Sequence, residues 1–232
     1  IGPGIYNLTS RLNITKSVTL KTAGSDETII NLGDSNIYVA SSTNVTIDGV
    51  TIRGYRGGET PQGPIYNYGI LKLRNCKIID NEGIKTSAIS CLTPSSELYL
   101  ENTLIAGNTN MSAIVNSDNY GSSYNGYYYC GTILLMIGAK LYIKNSTIVD
   151  NINNANPTVK YGAICREGFN TVEVTDSIMW GNGAGINDFL TKYATGQVLE
   201  VSYSDIQQPD IVGVDVIHEQ PRFIDAESDN YN

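Results

Sequence analysis

Six segments of this chain superimpose on one template, their starts separated by 26, 27, 43, 31 and 27 residues. Each opens on an apolar–polar–apolar triplet: Val45-Thr-Ile47, Leu71-Lys-Leu73, Leu98-Tyr-Leu100, Leu141-Tyr-Ile143, Val172-Glu-Val174 and Leu199-Glu-Val201. Seven residues after each start stands a second apolar side chain, at Ile52, Ile78, Ile105, Ile148, Met179 and Ile206. Ten residues after it, four consecutive units carry Asn81, Asn108, Asn151 and Asn182. Five residues after it the side chain is compact, at Val50, Cys76, Thr103, Ser146, Ser177 and Ser204. Self-similarity at this period means one unit stacked on the next. Alternation over three residues is the signature of a strand with one buried face, and no unit holds an amphipathic helix. The expectation is an all-β chain, a single-stranded right-handed parallel β-helix of about six or more coils.

In such a stack equivalent residues lie about 4.8 Å apart along the axis. The aliphatic positions then form continuous columns, and Asn81, Asn108, Asn151 and Asn182 form a ladder of side-chain amides at a corner. The third offset supplies a check on the alignment. It reads Asp48, Arg74, Glu101, Lys144, so that stacked neighbours alternate in sign, the arrangement favourable for cross-strand pairs. The 232 residues are read as one domain. Residues 1–44 form opening coils that fit the template poorly, 45–207 form the regular coils, and 208–232 form a C-terminal cap. The 43-residue step holds a loop insertion at 117–129, SDNYGSSYNGYYY, and a smaller insertion falls at 183–196.

A formal net charge of -8 argues against nucleic acid, which needs clustered Lys and Arg. The apolar run Leu134–Ile137 is too short to cross a membrane, so no insertion is expected within this chain. The chain opens on Ile1-Gly-Pro-Gly4 and is read as a piece of a longer protein, with any anchor outside it. Four cysteines, Cys76, Cys91, Cys130 and Cys165, fit no zinc spacing and leave three pairings open. Cys76 sits at the compact offset and reads as a buried free thiol. Five Asn-X-Ser/Thr sequons, at Asn7, Asn13, Asn44, Asn110 and Asn145, lean weakly towards secretion.

Several units pair a Gly162-Ala-Ile164-like strand with an apolar-x-x-Asn corner, as in Ile78-x-x-Asn81, Ile105-x-x-Asn108, Ile148-x-x-Asn151 and Met179-x-x-Asn182. This resembles the repeats of polymorphic outer-membrane proteins and adhesin-like surface proteins, with Ile or Met where that group usually carries Phe. The opening, Gly2-Pro-Gly-Ile-Tyr6, and the close, Gln220-Pro-Arg-Phe-Ile-Asp225, are similar to the ends of secreted β-helix proteins. The resemblance implies a secreted or cell-surface, adhesin-like role.

Catalytic signals are sparse. Polygalacturonase-like enzymes of the pectin-lyase-like fold class would show Asn-Thr-Asp, Asp-Asp and Gly-His-Gly, and none is present. The only histidine, His218, lies in the tail and reads as a surface or cap residue. One vertical acid pair stands out, Glu173 over Glu200. It is the one candidate for glycosidase carboxylates or for holding calcium; no resident metal or other cofactor is expected. The stronger signal is aromatic. Tyr99 and Tyr142 share the outward first offset beside Lys72, and the insertion adds Tyr124, Tyr127 and Tyr128, from a total of 16 tyrosines. Tyrosine gives contact area at low entropic cost, which points to a glycan or a host or cell-surface protein as partner. The favoured reading is a non-catalytic binding module. The alternatives are a polysaccharide lyase or glycoside hydrolase and a passive structural spacer.

Overall fold

The structure, a computed structural model, describes residues 1–22, 24–57, 63–84, 86–111, 129–153, 160–183, 189–191 and 198–223. Among them there is no helix; short strands follow one another in a fixed cycle. The cycle builds a first sheet of eight strands, a second of seven and a third of seven, with a small three-stranded sheet inserted between first and second in the middle turns. Each strand pairs in parallel with its counterpart in the adjacent turn or turns. The result is a parallel β-solenoid of about six turns.

The register matches the sequence template. In the third sheet Val45, Leu71, Leu98, Leu141, Val172 and Leu199 are successive partners. In the first sheet Ile52, Ile78, Ile105, Ile148, Met179 and Ile206 are. All twelve belong to one core, and all but Leu199 are fully buried. The same stack extends into residues 1–44: Val18–Lys21 pairs in register with Val45 to Asp48, and Ile30 lies beside Ile52. A longer corner hides this turn from the template, because Val18 and Ile30 are twelve residues apart where Val45 and Ile52 are seven. At the other end the tail bridges onto the last turn, Ser202 to Val214 and Asp205 to Ile217. The tail histidine, His218, donates from Nδ1 to the Ile206 carbonyl at 2.6 Å.

Sharp corners explain the richness in Asn, Asp and Gly. At the fourth offset Asn75, Asn102, Asn145 and Asp176 all adopt left-handed backbone angles, φ 48 to 51°. At the ninth offset Asp80 and Asp150 do so, alternating with Gly54, Gly107 and Gly181. Short polar side chains tolerate this region better than branched ones. Each left-handed residue bends the chain from one sheet towards the next.

Directly after the ninth-offset corner runs the asparagine ladder, wholly buried. Asn81 Nδ2 donates to Asn108 Oδ1 at 2.9 Å, Asn108 to Asn151 at 2.8 Å, and Asn151 to Asn182 at 2.8 Å. The same oxygens accept the backbone N–H of the asparagine one turn earlier, and Asn81 Oδ1 accepts from Tyr55 N–H. Each Nδ2 also reaches carbonyls of its own turn and the previous one, as Asn108 does at Ala106 and Ile78. A second ladder, of hydroxyls, runs at the fifth offset. Thr103, Ser146 and Ser177 donate their backbone N–H to the hydroxyl oxygen of the next turn, each at 3.1 Å. The hydroxyls donate to carbonyls two residues back. Cys76 occupies this column as the expected buried free thiol, its Sγ directed at the Arg74 carbonyl at 3.1 Å.

Removing one rung strands several buried groups, each at about 1–3 kcal/mol. Asn108→Leu is therefore expected to lower stability by about 2–4 kcal/mol in urea unfolding. Asn102→Gly, at an exposed left-handed corner, is expected to move it by less than about 0.5 kcal/mol.

Candidate functional site

Alternation along the third sheet turns every second side chain outward. The central outward column reads Thr46, Lys72, Tyr99, Tyr142, Glu173, Glu200, each residue in register with the next. Tyr99 and Tyr142, the aromatic pair singled out in the sequence, stack with ring centroids 4.6 Å apart and planes 13° apart. Lys72 Nζ lies 5.3 Å from the Tyr99 centroid, on that ring. One face of each ring is thus spent on the other tyrosine, and Lys72 lies against Tyr99. The pair is held from the side. Tyr99 donates its hydroxyl to Glu97 Oε2 at 2.7 Å, and Glu97 Oε1 takes an ion pair from Lys140 at 3.0 Å. Beyond this column the alternating charges pair as expected at Arg74 and Glu101, 3.0 Å apart.

These contacts move the ionisation of the cluster. Tyr99 is pushed up to about 12, first by burial and then by its bond to the Glu97 carboxylate. Glu97 is lowered, chiefly by the Tyr99 hydroxyl and the Lys140 ammonium. The signs differ for the two groups. The Glu97 contribution to stability is present above the usual carboxylate range and is lost as pH falls through its lowered folded value. The Tyr99 contribution is present below pH 10 and is lost as pH rises through about 12.

Glu173 and Glu200 are indeed vertical neighbours, and both are exposed. Asp205 is not part of this face. It lies on the first sheet, with Oδ1 buried without a hydrogen-bond partner and its carboxyl raised by burial. Among the described residues no group of three or more His, Cys, Asp or Glu converges on a point suited to a metal ion. Tyr124, Tyr127 and Tyr128 lie outside the described residues. No helix among the described residues is long and apolar enough to cross a membrane.

A second aromatic cluster escaped the sequence reading. Tyr38 and Tyr66 are register partners pointing away from the core of the second sheet, Tyr38 half-buried and Tyr66 buried. Tyr68 adjoins Tyr38 with centroids 5.2 Å apart, and Arg11 lies over both Tyr38 and Tyr66. The signal was there in the triplets Ile37-Tyr-Val39 and Ile65-Tyr-Asn67. The step from first to second sheet varies, however: Ile65 follows Ile52 by 13 residues, Ile89 follows Ile78 by 11, and Ile133 follows Ile105 by 28. A template of fixed offsets loses the second sheet there.

Fold and face together define a parallel β-solenoid with a rigid aromatic–ionic strip on one sheet. No family model matches the chain, and searches of curated proteins and of solved structures return no match.

The side support of Tyr99 is directly testable. In Glu97→Gln the Tyr99 titration, isolated as the difference from Tyr99→Phe in phenolate absorbance, is expected to move down from about 12. It stops short of the ordinary value because burial remains.

Proposed function

We propose that this protein is a non-catalytic, secreted or cell-surface, adhesin-like module whose third-sheet face binds a glycan or a protein partner. The observation that supports this most is the outward column Lys72–Tyr99–Tyr142–Glu173–Glu200. It sets large side chains at strand spacing over five successive turns, on strands with no insertion within them. The stacked tyrosines are ordered before any partner arrives, so little side-chain freedom is lost on binding. With Tyr99 flanked by Tyr142 and Lys72, recognition falls to the second face of Tyr142, ring edges, the Lys72 ammonium and the Glu173 carboxylate. That repeating pattern of donors and acceptors suits an extended ligand laid along the axis. Tyr124, Tyr127 and Tyr128, singled out in the sequence, are included in the same proposal.

The vertical Glu173–Glu200 pair supports a second reading, a polysaccharide lyase or glycoside hydrolase of the pectate-lyase-like β-helix class. Both carboxyls are exposed and continue the column of the tyrosines, so they belong to the same extended face, and this favours the binding reading.

A glycan array run with and without calcium, with mass spectrometry of bound glycans, separates the readings. Binding without cleavage is expected, weakened about tenfold or more in Tyr142→Ser. That variant should lose only about 0.5–1.5 kcal/mol of stability, the scale of an aromatic pair. Cleavage abolished by Glu173→Gln would establish the enzyme instead.

A further inference from the structure

The second aromatic cluster lies on a different sheet from the proposed binding face and has a different chemistry. Arg11 stands at the corner leading into the first strand of the second sheet, Leu12–Ile14. Its Nε donates to Asn36 Oδ1 at 2.8 Å. Its guanidinium carbon lies 5.9 Å from the Tyr38 ring centroid and 5.4 Å from that of Tyr66. The plane is therefore seated on two aromatic rings and pinned through one nitrogen, which leaves the two terminal Nη groups.

No carboxylate among the described residues pairs with Arg11, although the chain carries 23 acids against 15 Lys and Arg. Four other described cations, Arg56, Arg74, Lys77 and Lys140, each hold an acid, while Arg53 and Lys72, like Arg11, sit against an amide or an aromatic ring. Arg11 is exposed, Tyr38 and Tyr68 beside it are half-buried, and Asn36 and Tyr66 are buried. The Tyr38 and Tyr68 hydroxyls make no hydrogen bond within the described residues, and their rings tilt by 41° to form a shallow aromatic wall. Burial and the neighbouring tyrosines hold the Tyr68 hydroxyl in its neutral, donating form.

A guanidinium with a fixed plane and open Nη groups matches a carboxylate bidentately. Its seat on aromatic faces lowers the cost of ordering it further. We propose that Arg11, Tyr38 and Tyr68 form a binding site for the carboxylate of an acidic saccharide, with the buried Asn36 and Tyr66 holding the guanidinium from beneath. The cluster holds a single cation, which suits one carboxylate on an otherwise neutral ring bearing hydroxyls. Tyr38 and Tyr68 supply hydroxyl partners for the ring. A run of acidic residues would present several charges to this one cation on a chain of net charge -8. The site is independent of the third-sheet face.

The test is calorimetric titration of the whole chain at low salt with two series of oligosaccharides, one bearing glucuronate and one bearing sialate. Each series includes its methyl ester as the uncharged control. Saturable binding of one or both acidic series is expected, weakened at least tenfold by esterification and at least tenfold in Arg11→Gln. Arg11→Lys, which keeps the charge and loses the fork, should fall between Arg11→Gln and the parent. Both variants should remain folded at the titration temperature by thermal unfolding, and Tyr142→Ser should leave this binding unchanged. The proposal is overturned if neither acidic series binds, if binding survives esterification or Arg11→Gln, or if an oligoglutamate peptide binds as tightly.

Discussion

A buried amide with nowhere to send its hydrogens is among the more costly things a fold can contain, and the asparagine ladder resolves that cost along the whole axis. Each rung from Asn81 to Asn151 lends its oxygen to the turn before and its amide hydrogens to the oxygen of the turn after, as well as to corner carbonyls. The corner beside it needs a left-handed residue, and the carbonyls around that corner need donors. Asparagine at the next position supplies them. Spacing, register and corner geometry are thereby tied to one another: a turn that slipped by one residue would lose its rung and turn its apolar triplet outward together.

The aliphatic columns supply most of the burial, but they are less particular. Ile, Leu, Val and Met interchange freely within them, at Ile148 and Met179 for example. The polar ladders carry the register. The hydroxyl ladder at Thr103, Ser146, Ser177 and Ser204 repeats the logic on the opposite side of the same first-sheet strands. The outward positions are not constrained by the core. There the third sheet places Lys72, Tyr99 and Tyr142 in a line, and the second sheet places Arg11 over Tyr38 and Tyr66.

How legible all this was in the sequence depended on constancy of spacing. The third and first sheets keep a seven-residue step from triplet to apolar partner, so Leu71 and Ile78 announce their places directly. The second sheet follows connections of changing length, and its aromatic column at Tyr38 and Tyr66 stayed hidden. The turn holding Val18 and Ile30 was obscured in the same way by a longer corner. The stacking of Tyr99 on Tyr142 could be read from their shared offset, whereas the support from Glu97 and Lys140 could not. That support depends on side-chain reach across the sheet, for which a repeat pattern has no signature.

The dependence of the fold on the asparagine ladder is tested most directly by native-state hydrogen exchange at the backbone N–H groups of Asn81, Asn108 and Asn151. These bond to side-chain oxygens, not to another strand's carbonyls. Exchange only through global unfolding, as slow as that of the core residues Ile105 and Ile148, is the predicted result. Exchange at the rate of exposed turn amides would show that the ladder is ornament on a stack held by its aliphatic columns alone, and would contradict the account.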